Sequence, residues 1–342
     1  MENMYQKYKE IIEASDTLYN KEKICEMLDS IEKLNKNNYE IILNSYHFSN
    51  LVGIKWKYLK LIINNIEKNY YNFSISKKSG GKRQISVPNE SLTICQEFIK
   101  ERILDKIPIH DSANGFANNR SIITNAKKHV DKEMILNIDL KDFFPSINSK
   151  KIFYVFRNLC GYSKDLSYCF TKLVMYNGGL PQGACTSPTL SNIVSFKMDV
   201  RLSNLSKKMG ITYTRYADDI TFSGKKDKIN DGLLRIVTKI INESGYQINQ
   251  NKTRFQSCKN KQEVTGLIVN NGVVSVPKIY IKKIRQELYY INKFGIVDHK
   301  KRNNIYNRFY KEHLKGKIMF VYSINKYKGI ELLKQYNSIF EK

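Results

Sequence analysis

The sequence predicts an α+β fold, with helices towards both ends of the chain and short strands in the middle. Three observations support this prediction. Apolar residues recur at helical spacing in residues 58–66 and again in residues 281–291. Short β-branched and aromatic runs lie between them, at Met134–Phe144 and Ile211–Gly224. No internal repeat and no long Pro/Gly/Ser linker separates these segments, so we expect subdomains that pack against one another.

The residue pattern of each successive segment predicts its secondary structure. Residues 1–70 show helical spacing and are rich in Lys, Glu and Asn, which predicts an N-terminal helical region. Two β-rich runs then flank Gly80-Gly81, a typical hairpin signal. In residues 134–276 an apolar run ends in Asp139, and a hairpin is expected around Asp218-Asp219. From Pro277 to the end the spacing is helical again.

Composition excludes several classes of protein. The chain has 342 residues, of which 42% are hydrophobic and 12% aromatic, too many for a disordered polyelectrolyte. No run approaches the ~18 apolar residues of a membrane span, and the polar N-terminal segment lacks the apolar core of a signal peptide. Six scattered cysteines without a C-x-x-C pair fit free thiols, and the scattered histidines give no support for a zinc site. We therefore expect a cytoplasmic protein.

The positive charge indicates a polyanionic partner. The chain carries 57 Lys+Arg against 32 Asp+Glu, a formal net charge of +25, and nucleic acid is the first candidate. Residues 277–342 alone hold 16 Lys/Arg against 5 Asp/Glu, with tyrosines interleaved. Lys282, Lys283 and Arg285 at the start of this segment are candidate RNA contacts. The alternatives are a basic surface that serves solubility and a solvated helix face with core tyrosines.

Three carboxylates are the candidate catalytic groups. Asp218 and Asp219 are adjacent at the expected hairpin tip, where their repulsion costs stability unless a cation neutralises them. Asp139 ends another apolar strand. Such oxygen ligands suit divalent cations, and a pair of metal ions can activate a hydroxyl and stabilise a leaving pyrophosphate. The alternative is an ordinary polar turn.

The motifs around these acids resemble those of the reverse transcriptases. Tyr216-Ala217-Asp218-Asp219 resembles the family's catalytic box, NIDLKDFFPSI its first catalytic strand, and LPQGACTSP the loop under the nascent base pair. The resemblance implies a right-hand polymerase fold. Its parts would be fingers at residues 71–133, a palm with an antiparallel sheet at 134–276, and a basic helical thumb at 277–342. The palm would include a fingers insertion at about 150–180 and a primer-grip hairpin at 264–276.

Two further motifs resemble signatures of bacterial retron reverse transcriptases. They are Asn125-Ala126-Lys127-Lys128-His129 and Val264-Thr265-Gly266. This resemblance implies a cognate structured non-coding RNA as template, a guanosine 2′-hydroxyl of that RNA as primer, and a branched RNA–DNA product. It also implies anti-phage defence with a separate effector protein. The alternatives are another bacterial reverse transcriptase, of the group II intron-like or abortive-infection type, and an inactive RNA-binding scaffold.

The resemblance also implies individual roles. Asp139, Asp218 and Asp219, with the carbonyl of Leu140, would bind two Mg²⁺ ions, and Lys252 would donate a proton to pyrophosphate. Phe144 would exclude ribonucleotides, although Phe143 or Phe144 could be simple core. The deoxynucleotide would meet Lys78, Arg83, Gln182 and Gly183. RNA contacts are expected from the two signatures (Asn125, His129, Val264, Thr265 and Gly266) and from Arg120; His129 could instead be a plain helix histidine.

Overall fold

The computed structural model describes residues 2–14, 21–76, 80–270 and 272–341. The predicted triphosphate ligand Lys78 lies outside the described residues. The N-terminal region consists of α1 (Glu2–Glu13), α2 (Lys21–Lys36), α3 (Ser45–Leu51) and α4 (Trp56–Asn64). Its apolar faces join the same core as the central strands, because Leu34, Phe48 and Leu59 are buried in one cluster with Leu136 and Phe222. The region is therefore packed against the rest of the fold.

A hairpin and two helices follow. Strands β1 (Tyr70–Ser76) and β2 (Lys82–Pro88) pair antiparallel, as the Gly-Gly signal predicts. Helix α5 (Glu90–Arg102) begins where the Asn89 side chain accepts a hydrogen bond from the Leu92 N–H. Helix α6 (Ile122–Lys127) begins with a capping box formed by Ser121 and Thr124.

The central sheet has four strands, β3 (Met134–Asp139), β4 (Thr212–Tyr216), β5 (Asp219–Gly224) and β6 (Arg254–Ser257). All neighbours are antiparallel, and their order is β4-β5-β3-β6. Side chains alternate between the two faces, so Leu136 and Phe222 join the main core whereas Ile135 packs on the opposite side. The antiparallel palm sheet of the sequence-based prediction is confirmed.

The main core also takes in five helices that connect and follow these strands. They are α7 (Ser149–Tyr154), which continues into a π-helical stretch (Val155–Cys160), α8 (Lys164–Val174), α9 (Thr186–Val194), α10 (Phe196–Met209) and α11 (Asp231–Glu243). A small cluster on the other face joins Ile135 to Ala126 of α6 and to the hairpin β7 (Glu263–Val264) and β8 (Leu267–Ile268). The sheet is thus covered on both faces.

The C-terminal part consists of α12 (Lys278–Arg302), α13 (Tyr310–Ile324) and α14 (Lys326–Phe340). These helices have their own apolar cluster, which includes Ile284, Leu288, Leu314 and Leu332. Gly295 (φ +77°) interrupts the helical backbone of α12. In the described part of the chain, no helix is long and apolar enough to cross a membrane.

Candidate active site

The strand register brings the three aspartates to one end of the central sheet. Asp139, the last residue of β3, lies directly opposite Asp219, the first residue of β5. The Leu140 N–H donates a hydrogen bond to the Asp218 carbonyl over 3.0 Å, which holds the strand end against the turn. The turn itself passes through Ala217, whose φ is +56°. Residues about eighty positions apart in the sequence therefore lie at the same end of the sheet, as the motifs predicted.

Two of the three acids, Asp218 and Asp219, have a raised pKa. Burial raises the pKa of Asp219 to about 6, and the charges of Asp218 and Asp139 contribute in the same direction. Burial also raises the pKa of Asp218, again with the help of Asp139. A raised pKa means that the surroundings stabilise the ionised carboxylate less well than water does. The cluster therefore favours an additional cation.

Lys252 lies against these acids. Its Nζ is 2.8 Å from Oδ2 and 3.0 Å from Oδ1 of Asp139, and Asn249 Nδ2 is 3.2 Å from the same Oδ1. The hydrogen bond to Asp139 raises the pKa of Lys252, which keeps the ammonium charged. In the described part of the chain, no group of three His, Cys, Asp or Glu side chains is already arranged to hold a metal ion. The oxygen donors nevertheless match the preference of Mg²⁺ for hard oxygen ligands.

The two phenylalanines after the first aspartate have different environments. Phe143 is 4% exposed and packs its ring 5.5 Å from that of Tyr246. Phe144 is half-buried, with its ring 6.1 Å from the ring of the exposed Phe116. The expectation that one of the two is core is confirmed, and that residue is Phe143. Phe144 remains the candidate to contact the nucleotide sugar.

The Gln182-Gly183 loop lies on strand β2. The Ser86 N–H donates a hydrogen bond to the Gln182 carbonyl over 2.8 Å. Gly183 has φ +136°, and a Cβ on it would lie 2.5 Å from the Ser86 carbonyl oxygen. The resemblance implies a nucleotide contact for this glycine, and the structure gives a separate reason for it, the close backbone of β2. Arg83 is exposed on the same strand, and its charge acts to lower the pKa of Asp218.

The two signature motifs pack against each other, which corrects part of the predicted RNA-binding set. His129 is fully buried, with Nδ1 2.7 Å from Ser223 Oγ and Nε2 2.7 Å from Thr214 Oγ1. Asn125 and Val264 are also buried, at 1% and 0% exposure. These three were wrong as direct RNA contacts, because a covered side chain cannot touch RNA.

The packing contact itself joins the two motifs. Asn125 Nδ2 donates to Thr265 Oγ1 over 3.5 Å, and Ala126 and Val264 share one apolar cluster. Thr265 is half-buried and Gly266 is exposed, so these two alone of the V-T-G motif remain candidates for RNA contact. The motifs therefore fix α6 to the β7–β8 hairpin.

Of the basic residues predicted to contact RNA, two bond to other parts of the protein and two are exposed on α12. The Arg120 guanidinium donates to the carbonyls of His110, Asp111 and Ala113, at 2.9, 3.2 and 2.6 Å, so it holds that loop together. Arg285 pairs with both carboxylate oxygens of Glu331 on α14. Lys282 and Lys283 are exposed on α12. Their roles in RNA binding remain predictions.

Sequence reasoning missed Asp199 and Arg215, a completely buried ion pair beside the aspartates. The available signal was alternation, because Tyr213 and Arg215 lie two positions apart on a strand and share a face whose buried residues should be apolar. A charged residue at such a position requires a buried partner. Nothing in the linear pattern indicates that the partner is Asp199 on α10.

Comparison with known proteins identifies the family. Residues 75–270 match the family "Reverse transcriptase (RNA-dependent DNA polymerase)". The chain is 34% identical to the retron Ec86 reverse transcriptase of Escherichia coli, an alignment that covers 73% of this chain and 79% of that protein. It is 33% identical to the retron Se72 reverse transcriptase of Salmonella heidelberg, with coverage of 76% and 71%. The chain therefore belongs to the reverse transcriptases, right-hand RNA-directed DNA polymerases, and within them to the bacterial retron enzymes.

Proposed function

We propose that this protein copies a cognate structured non-coding RNA into DNA in the cytoplasm. The primer is a guanosine 2′-hydroxyl of the same RNA, deoxynucleoside triphosphates are the substrates, and the product is a branched RNA–DNA molecule. The biological role is anti-phage defence together with a separate effector protein. The observation that carries the catalytic part is the register that sets Asp139 opposite Asp219, with Asp218 in the adjoining turn.

Asp139, Asp218, Asp219 and the Leu140 carbonyl are the groups that would hold two Mg²⁺ ions. When bound, the ions lower the pKa of the attacking hydroxyl and stabilise the charge of the leaving pyrophosphate. The raised pKa values of Asp218 and Asp219 support this assignment, since a divalent cation would relieve the repulsion that contributes to them. Lys252 keeps a proton at Nζ and is the candidate donor to pyrophosphate.

The surrounding residues bind and orient the nucleotide. Arg83 on β2 is close enough to the acids for its charge to act to lower the pKa of Asp218, and its planar guanidinium suits the binding of a triphosphate. Gln182 and Gly183 would lie under the nascent base pair. The Ser86 hydrogen bond fixes their loop to β2 and so holds both residues in place. Phe144 lies beside the buried Phe143 and would exclude the ribose 2′-hydroxyl by its volume.

The RNA would lie on the basic surfaces. The net charge of +25 and the exposed Lys282 and Lys283 on α12 support backbone contacts to a polyanion. The exposed Gly266 and half-buried Thr265 of the β7–β8 hairpin are further candidates for RNA contact. In this proposal residues 71–133 form the fingers, 134–276 the palm and 277–342 the thumb.

Primer extension tests the catalytic part. Purified protein is incubated with a generic RNA template annealed to a DNA primer, deoxynucleotides and Mg²⁺, next to an Asp218→Asn/Asp219→Asn variant. We expect extension by the wild type and none by the variant, which keeps the size of both side chains and removes their charge. No extension by either protein would instead favour an RNA-binding scaffold, and equal extension by both would exclude Asp218 and Asp219 as the catalytic groups.

Sequencing of the nucleic acid that copurifies with the protein tests the retron part. We expect one structured RNA joined to DNA through a 2′,5′ linkage, which a debranching enzyme cleaves. An active polymerase that copurifies with linear products only would indicate a different primer. The defence role is tested by phage plating on cells with the wild type or the Asp218→Asn/Asp219→Asn variant, each expressed with its neighbouring genes.

A further inference from the structure

A completely buried ion pair lies directly under the catalytic turn. The side chains of Arg215 on β4 and Asp199 on α10 are both 0% exposed. Arg215 Nε is 2.8 Å from Asp199 Oδ1 and Nη2 is 2.6 Å from Oδ2, which is a bidentate arrangement. The Tyr213 hydroxyl donates a third hydrogen bond to Asp199 Oδ1 over 2.6 Å. The carboxylate is therefore fully satisfied and holds the guanidinium plane in one orientation.

The remaining nitrogen of the guanidinium points to the turn that carries the catalytic acids. Arg215 Nη1 donates a hydrogen bond to the Ala217 carbonyl over 3.2 Å. Ala217 is 7% exposed, directly precedes Asp218, and has φ +56°. A left-handed conformation is strained at a residue other than glycine, so it persists only where its surroundings hold it. The Arg215 hydrogen bond is one such restraint.

The backbone of Gly115 supports the same turn from another direction. A Cβ on Gly115 would lie 2.7 Å from the Ala217 nitrogen, so the two backbones are in close contact. The Gly115 carbonyl accepts a hydrogen bond from Asn192 Nδ2 of α9 over 2.8 Å. Ala217 is thus held between a backbone contact and the guanidinium, and neither support is a metal ligand or a substrate contact.

The same guanidinium also reaches the loop after the first catalytic strand. Its central carbon lies 5.9 Å from the centre of the Phe143 ring, within the range of a cation–π contact. Phe143 is the neighbour of Phe144, the candidate sugar contact. One buried group therefore contacts two of the segments proposed to form the nucleotide site, the turn at Ala217 and the loop at Phe143.

We propose that Arg215, oriented by Asp199, is a positioning residue that sets the conformation of the Ala217-Asp218-Asp219 turn. This inference rests on the catalytic role proposed for Asp218 and Asp219. A buried ion pair is weak evidence for a gain in stability, because desolvation offsets much of its attraction, and replacing both partners by apolar residues is often neutral. If the pair instead orients the catalytic turn, its loss should reduce DNA synthesis even where the stability of the protein is unchanged.

Two variants separate orientation from stability. Arg215→Met/Asp199→Leu removes both charges and keeps the volume apolar, whereas Arg215→Lys keeps the charge but cannot bond Asp199 twice and Ala217 at once. Arg201→Met is the matched control, since Arg201 is on the same helix as Asp199 and pairs with Glu243 at the surface. The melting temperature, kcat, the KM for deoxynucleotide and the half-saturating Mg²⁺ concentration are measured for each.

We expect the double variant to melt close to the wild type, with kcat reduced by about tenfold or more and a higher half-saturating Mg²⁺ concentration. Arg215→Lys should show an intermediate kcat, and Arg201→Met wild-type values throughout. Wild-type kcat and Mg²⁺ dependence in the double variant would overturn the inference. If the double variant does not fold, a folded Arg215→Lys protein with wild-type kcat would overturn it equally. Failure of the proposed function has a separate signature, namely wild-type extension by Asp218→Asn/Asp219→Asn.

Discussion

The buried His129 makes stability depend on pH in a way that can be calculated. Burial lowers the pKa of its imidazole from 6.5 to about 3, with Lys128 and Lys132 contributing in the same direction. Between these two pKa values, His129 therefore binds a proton in the unfolded chain but stays neutral in the folded protein. The stability associated with neutral His129 is fully present above pH 6.5 and is lost as the pH falls towards 3.

The size of the effect follows from the two pKa values. Each pH unit between them is worth about 1.4 kcal/mol, so lowering the pH from about 7.5 to about 5.0 removes about 2 kcal/mol of unfolding free energy through this residue. A His129→Gln variant has no such proton to bind. Between these two pH values it should therefore lose about 2 kcal/mol less than the wild type, although it is less stable at pH 7.5 because its contacts to Ser223 and Thr214 are altered.

Urea unfolding followed by circular dichroism at both pH values measures this difference. His313→Gln, at an exposed site on α13, is the matched control and should leave the wild-type pH dependence unchanged. An equal loss in wild type and His129→Gln would refute the reasoning, because it would mean that His129 already binds a proton in the folded state. The same folded variant at pH 7.5 should bind RNA as the wild type does, since a buried imidazole cannot contact RNA.

Three further predictions concern the nucleotide and RNA sites. Phe144→Ala should lower the preference for deoxynucleotides over ribonucleotides by about tenfold or more in single-nucleotide incorporation, and unchanged selectivity would contradict its role. Gly183→Ala should raise the KM for deoxynucleotide several-fold, because its Cβ would collide with the Ser86 carbonyl; Gly316→Ala, with open space around it, is the neutral control. RNA affinity should fall by about a thousandfold or more between about 50 mM and about 200 mM salt in filter binding, whereas a flat response would exclude phosphate contacts as its main source.

Local signals in the sequence accounted for much of the fold. Apolar runs predicted β3 and the β4–β5 hairpin, and helical spacing predicted the helices near both ends of the chain, because periodicity reflects which faces are buried. The three aspartates were identified because they occur at strand ends and turns where acids are costly without a cation. The resemblance in the motifs then supplied the antiparallel palm sheet and the family.

Local signals could not show which polar side chains are buried, or which distant residues they contact. His129 lies in a basic segment of the sequence, yet the turn that follows α6 places it under the sheet, against Thr214 and Ser223. Lys252 was assigned to pyrophosphate, and the structure adds its contact with Asp139, over a hundred positions away. Gly183 was expected to meet the deoxynucleotide, whereas its immediate neighbour in the structure is the backbone of β2.

The sequence by itself determined the chemistry of this protein: which carboxylates can act together, the family, and a positive charge suited to nucleic acid. Only the tertiary structure decided which polar residues are buried and what they contact, as with Arg215, Asp199 and the Ala217 carbonyl. The physical reason is that periodicity and local motifs report on neighbours within a few residues. The cost of burying a charge, in contrast, is offset by partners that the chain brings together only when it folds.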